Sequence, residues 1–250
     1  MRLFGIIGNP LGHSFSQQYF TEKFTRENLS DHSYRKFELP SVDQLPALLE
    51  REGYLCGFNV TIPFKVQVFR YLDSIDPVAE AIGAVNTVRV TREEGRALLQ
   101  GFNTDAPAFR ESLLQNLGRV PEYALVLGTG GASKSVTYIL RELGITVVPV
   151  SRNPVAGGYV YNDLPRDVIS GAGLLVNTTP AGMAPDTDTS PAIDYSALHE
   201  AQLLFDLIYN PRVTKFLSRG AERGCRTVNG EQMFQIQAEM AWKIWNGGVS

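Results

Sequence analysis

Apolar and polar positions change period repeatedly along the chain, and the switches mark its elements. RLFGIIG (2–8) is an apolar run that stops at Gly8-Asn9-Pro10, the pattern of a buried strand. Residues 16–28 place Tyr19, Phe20 and Phe24 on one face of a helix. SYRKFEL (33–39) predicts a strand. Ser41 to Glu52 predicts a helix with Leu45, Leu48 and Leu49 inward and Ser41…Gln44 as a capping box. LCGFNVTI (55–62) predicts a third strand, followed by helices over 64–72 and 77–82. AVNTVRV (84–90) and ALLQGFN (97–103) flank TREEGR, which reads as a hairpin turn, and a helix begins near Asp105.

The second half is more regular. YALVLG (123–128) leads into a glycine-rich turn; Val136, Ile139, Leu140 and Leu143 then recur at helical spacing, and Gly144 ends the helix. ITVVPV (145–150), GLLVNTT (173–179), LLFDLIY (203–209) and CRTV (225–228) predict further strands, and the stretch from Gly230 to Trp245 an amphipathic helix. Such alternation, with no internal repeat and no long linker, predicts an α/β fold: a mostly parallel sheet covered on both faces.

Composition narrows the class. A length of 250 residues allows one large or two modest domains, and 44% hydrophobic with 20% charged residues is the balance of a soluble globular protein. The net charge is −3 and no basic stripe occurs, which argues against a nucleic-acid partner. No apolar run approaches the roughly 20 residues needed to span a bilayer. MRLFGIIGNP lacks a secretory cleavage pattern, so a cytoplasmic protein without a membrane partner is expected. Cys56 and Cys225 lie far apart, and His13, His32 and His199 are scattered; free buried thiols and no metal site follow.

GTGGAS (128–133) has strand before it and helix after it, the context a dinucleotide fingerprint requires. Gly128 makes the tight turn. Gly130 and Gly131 let a pyrophosphate approach the backbone, and the helix N-terminus offers unpaired N–H groups. Ser133 holds the place of the third glycine. A plain strand–helix turn is the other reading. About 20 residues past the glycines, where an acid would hold a free ribose 2′-hydroxyl, this chain has Ser151, Arg152 and Asn153. A guanidinium matches a 2′-phosphate, which favours NADP over NAD; otherwise Arg152 is a surface loop charge.

Several polar residues interrupt apolar patterns. Ser14 and Ser16 follow the first strand, and Ser14…Gln17 fits a capping box. Asn59, Thr61 and Lys65 close the third strand in FNVTIPFK, where Lys65 is either a solvated helix charge or a functional group. Asn86 breaks AVNTV. Asn103, Thr104 and Asp105 end another strand, with Asp105 also placed to cap a helix carrying Pro107 in its first turn. On the last helix Met233, Ile236, Met240 and Ile244 define a buried stripe that includes Gln237, a satisfied core amide or a ligand contact.

Taken together, IGNPLGHSFS, NVTIPFK, GAVNT, GFNTD, GTGGAS, SRN, NTTPAGM, DLIYNPRVT and NGEQMFQIQA resemble, in order and over essentially the whole chain, the shikimate dehydrogenase family. The resemblance implies two α/β domains with a cleft between them: a substrate-binding domain from residues 1–104 plus 230–250, and a Rossmann-like NADP-binding domain from 105–229. It implies Lys65 and Asp105 as the catalytic pair, and Ser14, Ser16, Thr61, Asn86, Tyr209 and Gln237 as substrate contacts. Gly128, Thr129, Gly130, Gly131, Ala132, Ser151, Arg152 and Asn153 would contact NADP(H), with Leu207 and Gly230 near the nicotinamide. The implied substrates are shikimate and 3-dehydroshikimate, in a monomer or homodimer. The chain departs from the family after SFS, where proline and a His-Asn pair usually follow but Gln17, Gln18, Tyr19 and Phe20 stand here. Its cofactor loop reads SRN rather than NRT, with Arg152 kept. Alternatives are a quinate/shikimate dehydrogenase of broader specificity, a non-catalytic NADP-binding relative, and a folate-linked dehydrogenase, which the polar amino-terminal motif fits poorly.

Overall fold

The computed structural model describes residues 1–12 and 14–248; His13, one of the scattered histidines, lies outside the described residues. By compactness the chain divides into two units, residues 1–104 with Ala238 onward, and Asp105–Gln237. The second division falls inside the last helix, later than residue 230.

The first unit runs β1 (Arg2–Gly8), α1 (Ser16–Arg26), β2 (His32–Glu38), α2 (Leu45–Arg51), β3 (Leu55–Val60), β4 (Ser74–Ile75), α3 (Pro77–Ile82), β5 (Thr87–Glu93) and β6 (Arg96–Phe102). The second runs α4 (Asp105–Asn116), β7 (Tyr123–Leu127), α5 (Gly131–Glu142), β8 (Thr146–Ser151), β9 (Tyr159–Val160), α6 (Arg166–Gly171), β10 (Leu174–Asn177), β11 (Leu203–Asp206), α7 (Lys215–Ala221) and β12 (Arg226–Val228). Helix α8 (Glu231–Trp245) begins in the second unit and ends in the first.

The first sheet has the order β2-β1-β3-β5-β6-β4. β1 pairs parallel with β2 and β3, and β4 with β6, whereas β3–β5 and β5–β6 are antiparallel. The antiparallel pair follows from a two-residue hairpin at Glu94-Gly95, both at positive φ (49° and 84°). The strands therefore run further into TREEGR than expected, through Glu93 and again from Arg96. One face packs Leu45, Leu48 and Leu49 of α2 against Leu3, Ile7, Phe58 and Val88. The other packs Phe20 and Phe24 of α1 and Ala238, Ala241, Ile244 and Trp245 of α8 against Phe4. Trp245 lies over Gly57, where any Cβ would collide with the indole, and its Nε1 donates to the Val88 carbonyl (3.0 Å). Burying each large apolar side chain here contributes roughly 1.5–3 kcal/mol.

Two local expectations give way. Residues 64–72 form a turn and a 3-10 helix, Gln67–Tyr71, in place of an α-helix. The Lys65 carbonyl accepts from the Val85 N–H (2.8 Å), so the Phe69 N–H turns to Val66. Ser41 caps a 3-10 turn, Val42–Gln44, by accepting from the Asp43 N–H, and α2 starts only at Leu45; the capping box does not form.

The second sheet, β12-β11-β10-β7-β8-β9, is parallel throughout. β9, α6 and α7 were not foreseen; at two, six and seven residues they are too short for a periodic signal. β10 and β11 stop earlier than 179 and 209, at Asn177 and Asp206, because those side chains accept backbone N–H groups from Thr179 and Ile208 that a continuing ladder would use. Gly144, at φ 73°, ends α5 as expected, with the Ile145 N–H bonded to the Leu140 carbonyl. Among the described residues no helix is long and apolar enough to cross a membrane.

Candidate active site

Topology brings the polar residues of the first unit to one sheet edge. The loops leaving the carboxyl ends of the paired strands β1 and β3 carry Ser14, Ser16, Thr61 and Lys65. Because β5 runs against β3 and β6 against β5, Asn86 just before β5 and Thr104 just after β6 arrive at the same edge.

Asn86 is the hub. Its Nδ2 donates to Thr104 Oγ1 (2.9 Å), and its Oδ1 accepts from the Thr104 N–H (2.7 Å) and the Thr87 hydroxyl (3.3 Å). Asn59 joins through Nδ2, which donates to the Asn86 carbonyl and Thr87 Oγ1, while its Oδ1 accepts from the Tyr34 hydroxyl (2.8 Å). Asn103 donates to the Ala84 carbonyl (2.8 Å). Asn59, Asn86, Thr87, Asn103 and Thr104 are all buried. Buried amides in mutual register lock the surrounding backbone, because any misplacement leaves polar groups unpaired. Asp105, first residue of α4, is the next residue in the chain after Thr104.

The serines are not caps. Phe15 occupies the N-cap of α1 with no side-chain hydrogen bond, and Gln17 donates instead to the Tyr34 carbonyl (3.3 Å). The capping reading of Ser14…Gln17 therefore fails; Ser16 is buried and Ser14 half-buried beside the sheet edge. Gly8 approaches so closely that a Cβ would strike the Thr61 methyl. Thr61 is half-buried, its N–H bonded to Ile7 and its carbonyl to the Phe64 N–H; Lys65 is half-buried on the turn that follows.

In the second unit the candidate residues sit at the carboxyl ends of the parallel strands. Gly128 has φ 109° and a Cβ there would meet Thr178 Oγ1 at 2.8 Å, so only glycine suits the turn. Gly130 has nothing within 4 Å of a Cβ position, and it starts α5 with no side-chain cap. An open approach over an uncapped helix N-terminus fits a pyrophosphate, which takes unpaired N–H groups and the dipole. Thr129 is exposed and Gly131 and Ala132 are half-buried. Ser133 packs inward with its hydroxyl on the Gly130 carbonyl (2.6 Å). At the end of β8 the buried Ser151 hydroxyl bonds the Asn153 backbone, folding the loop so that Arg152 and Asn153 are exposed. That geometry leaves the guanidinium available to a 2′-phosphate.

Gly230 lies against Leu207, whose carbonyl a Cβ would strike, and donates its N–H to Ile208 (3.0 Å). Tyr209 stacks on Phe234 of α8 (4.5 Å, 27°). The expected stripe on α8 needs correction: Met233 and Ile244 are buried, but Ile236, Gln237 and Met240 are half-buried, and Ala238, Ala241 and Trp245 complete the buried set. Small alanines pack closest to the sheet, so residue size misled the reading.

Asp206 and Asn177 were missed. Asp206 is fully buried; its carboxylate accepts from Asn177 Nδ2 (3.0 Å), the Ile208 N–H (3.0 Å) and Thr214 Oγ1 (2.6 Å). Burial pushes its pKa up to about 6, against the pull of the three hydrogen bonds. Since the folded value lies above the unfolded one, charging Asp206 destabilises the fold increasingly as pH rises from the unfolded value toward 6, and fully above it. A lone acid in LLFDLIY and a lone amide in GLLVNTT were the available signals.

Among the described residues no group of three His, Cys, Asp or Glu side chains could hold a metal ion. Cys56 and Cys225 are free thiols; Cys225 is buried as expected, while Cys56 is only half-buried.

Residues 6–88 match the family model for the shikimate dehydrogenase substrate binding domain. The chain is 36% identical to the shikimate dehydrogenase (NADP(+)) of Carboxydothermus hydrogenoformans and 34% identical to that of Methanococcus aeolicus, each match covering 98% of this chain and 92% of the relative. The crystal structure of shikimate 5-dehydrogenase from Thermus thermophilus in complex with NADP(H) and shikimate matches with a TM-score of 0.84 at 34% identity, over 99% of this chain and 94% of that one.

Proposed function

The chain belongs to the shikimate dehydrogenase family, and we propose that it catalyses the reversible, NADPH-dependent reduction of 3-dehydroshikimate to shikimate in aromatic amino acid biosynthesis. The observation that carries this reading is the presence, in one chain, of a buried amide–hydroxyl hub at one sheet edge and a backbone anion cradle with an exposed arginine at another.

When bound, NADPH supplies a hydride to the ketone carbon. The protein's own tasks are to orient the substrate and to move one proton. Ser14, Ser16, Thr61, Asn86, Tyr209 and Gln237 supply directed hydroxyl and amide groups for a small acid rich in hydroxyls and without a large apolar part. Lys65 and Asp105 are assigned the acid–base work as a pair: the oxygen that gains charge takes a proton from one of them, and solvent restores it. A ketone, a hydride and a proton thus become a secondary alcohol. Gly128 through Ala132 would hold the pyrophosphate and Arg152 the 2′-phosphate, and Leu207 and Gly230 would lie near the nicotinamide. Residues 1–104 with the closing helix are the substrate-binding part, and the Asp105 unit the cofactor-binding part. The enzyme is taken as cytoplasmic, and as a monomer or homodimer.

Loss of NADPH absorbance on mixing purified protein with 3-dehydroshikimate tests the reading. Turnover is expected with 3-dehydroshikimate, much slower with NADH, and little with 3-dehydroquinate. No turnover of 3-dehydroshikimate with either cofactor overturns it.

A further inference from the structure

The parallel sheet of the second unit gives a bound dinucleotide a direction. β7 leads into the glycine turn, and β8, on one side of it, leads into Arg152, the group suited to the adenosine 2′-phosphate. β10 and β11 lie on the other side, so the redox half of the dinucleotide extends over their carboxyl ends. The strands are about 4.8 Å apart, which places the end of β11 about 10 Å from the pyrophosphate turn.

At that end stands Asp206. One of its oxygens takes hydrogen bonds from Asn177, last residue of β10, and from the Ile208 N–H; the other takes the hydroxyl of Thr214, the N-cap residue of α7. Asn177 in turn receives the N–H and hydroxyl of Thr179. One buried carboxylate therefore fixes both loops that leave these strands, Thr178–Gly182 and Leu207–Thr214. Its polar neighbours, Asn177 and Thr214, are neutral donors; Tyr195, whose hydroxyl donates to Pro191, is the titratable side chain that senses its charge. A buried acid without a cationic partner costs stability, and a neutral residue would fill the same volume at lower cost.

We propose that Asp206 is a positioning residue for the nicotinamide half of NADP(H), holding the two loops on which that half is seated. This rests on the functional reading above. The carboxylate is the working form, since both of its oxygens then accept; on protonation one oxygen becomes a donor, and of its partners only the Thr214 hydroxyl can accept that proton, at the expense of the bond it now donates. The weakening is therefore expected as pH falls below about 6.

The test is direct binding, by NADPH fluorescence and by calorimetry, to wild type, Asp206→Asn and Thr214→Val, with 2′,5′-ADP as a probe that carries the adenosine half alone. At pH 7.5 Asp206→Asn is expected to weaken NADPH about tenfold, the loss of one good hydrogen bond's worth of order, while 2′,5′-ADP stays within about twofold. Taking the ratio of variant to wild type at each pH cancels the ligand's own ionisation, and that ratio should shrink toward one at pH 5. Thr214→Val should shift NADPH in the same sense, and Thr214→Ser should restore it, which keeps the test open if Asp206→Asn does not fold. Equal weakening of both ligands, or unchanged NADPH affinity in the variants, overturns the proposal. Wild type that binds neither ligand instead overturns the functional reading.

Discussion

The two units put their chemistry in the same place, the ends of sheet strands, and build it from different materials. In the first unit the edge is made of side chains: Asn59, Asn86, Thr87 and Thr104 form a buried network, and the candidate contacts Ser14, Ser16, Thr61 and Lys65 follow strands that end at the same edge. In the second unit the edge is made of backbone: Gly128 at φ 109°, an open Gly130 and an uncapped helix start. Side chains there mostly brace, as Ser133, Ser151 and Asp206 do. The contrast matches the ligands. A small hydroxylated acid is told from its neighbours by directed donors and acceptors, which only side chains vary freely. A pyrophosphate needs converging N–H groups and room, which side chains would obstruct.

The sharpest test of this contrast is Lys65→Ala. Loss of a proton donor and charge stabiliser should lower kcat roughly 10³-fold with KM for 3-dehydroshikimate little changed, by steady-state kinetics. A raised KM with kcat intact would make Lys65 a substrate clamp.

Next come two changes of similar size that should separate the units. Asn86→Ala removes the acceptor of the Thr104 N–H and one partner from each of the Thr87 and Thr104 hydroxyls, and should cost about 2–3 kcal/mol in chemical denaturation, with the loss of affinity falling on shikimate. Gly128→Ala forces a methyl toward Thr178 at positive φ and should cost about 1–3 kcal/mol, with the loss falling on NADPH. If each weakened both ligands alike, the division into side-chain and backbone recognition would fail. The smallest effect is expected for Arg152→Ala, about a tenfold rise in KM for NADPH and little change for NADH. An unchanged NADPH value would reduce Arg152 to a surface charge.

Periodicity made most of the long elements readable, because a strand buried on both faces and a helix with a single apolar face leave distinct patterns. β1, β3, β7, α5 and α8 lie close to where the pattern put them. The segment after FNVTIP was misread as an α-helix because what decides it, the bond from Val85 to the Lys65 carbonyl, comes from 20 residues away. Ser14…Gln17 and Ser41…Gln44 had the residues of capping boxes, yet neither forms: Gln17 is drawn to Tyr34 and Ser41 to Asp43. Asp206 and Asn177 were passed over because what sets them apart, their bonds to each other and to the Ile208 and Thr179 N–H groups, comes from the pairing of β10 with β11 and from the loops beyond.

The sequence by itself determined the family and the chemistry available, since motif order, glycine placement and the identity of Lys65, Asp105 and Arg152 are properties of the chain alone. Tertiary structure decided which polar residues work together. Asn59 and Thr87 join Asn86 and Thr104 only because β3, β5 and β6 alternate in direction and bring opposite ends of the chain segments to one edge, and Tyr34 of β2 reaches Asn59 across β1. Asp206 becomes the brace of two loops only because β10 and β11 are parallel neighbours whose last residues face each other. Hydrogen bonds of that kind depend on register between strands, and register is a property of the folded sheet.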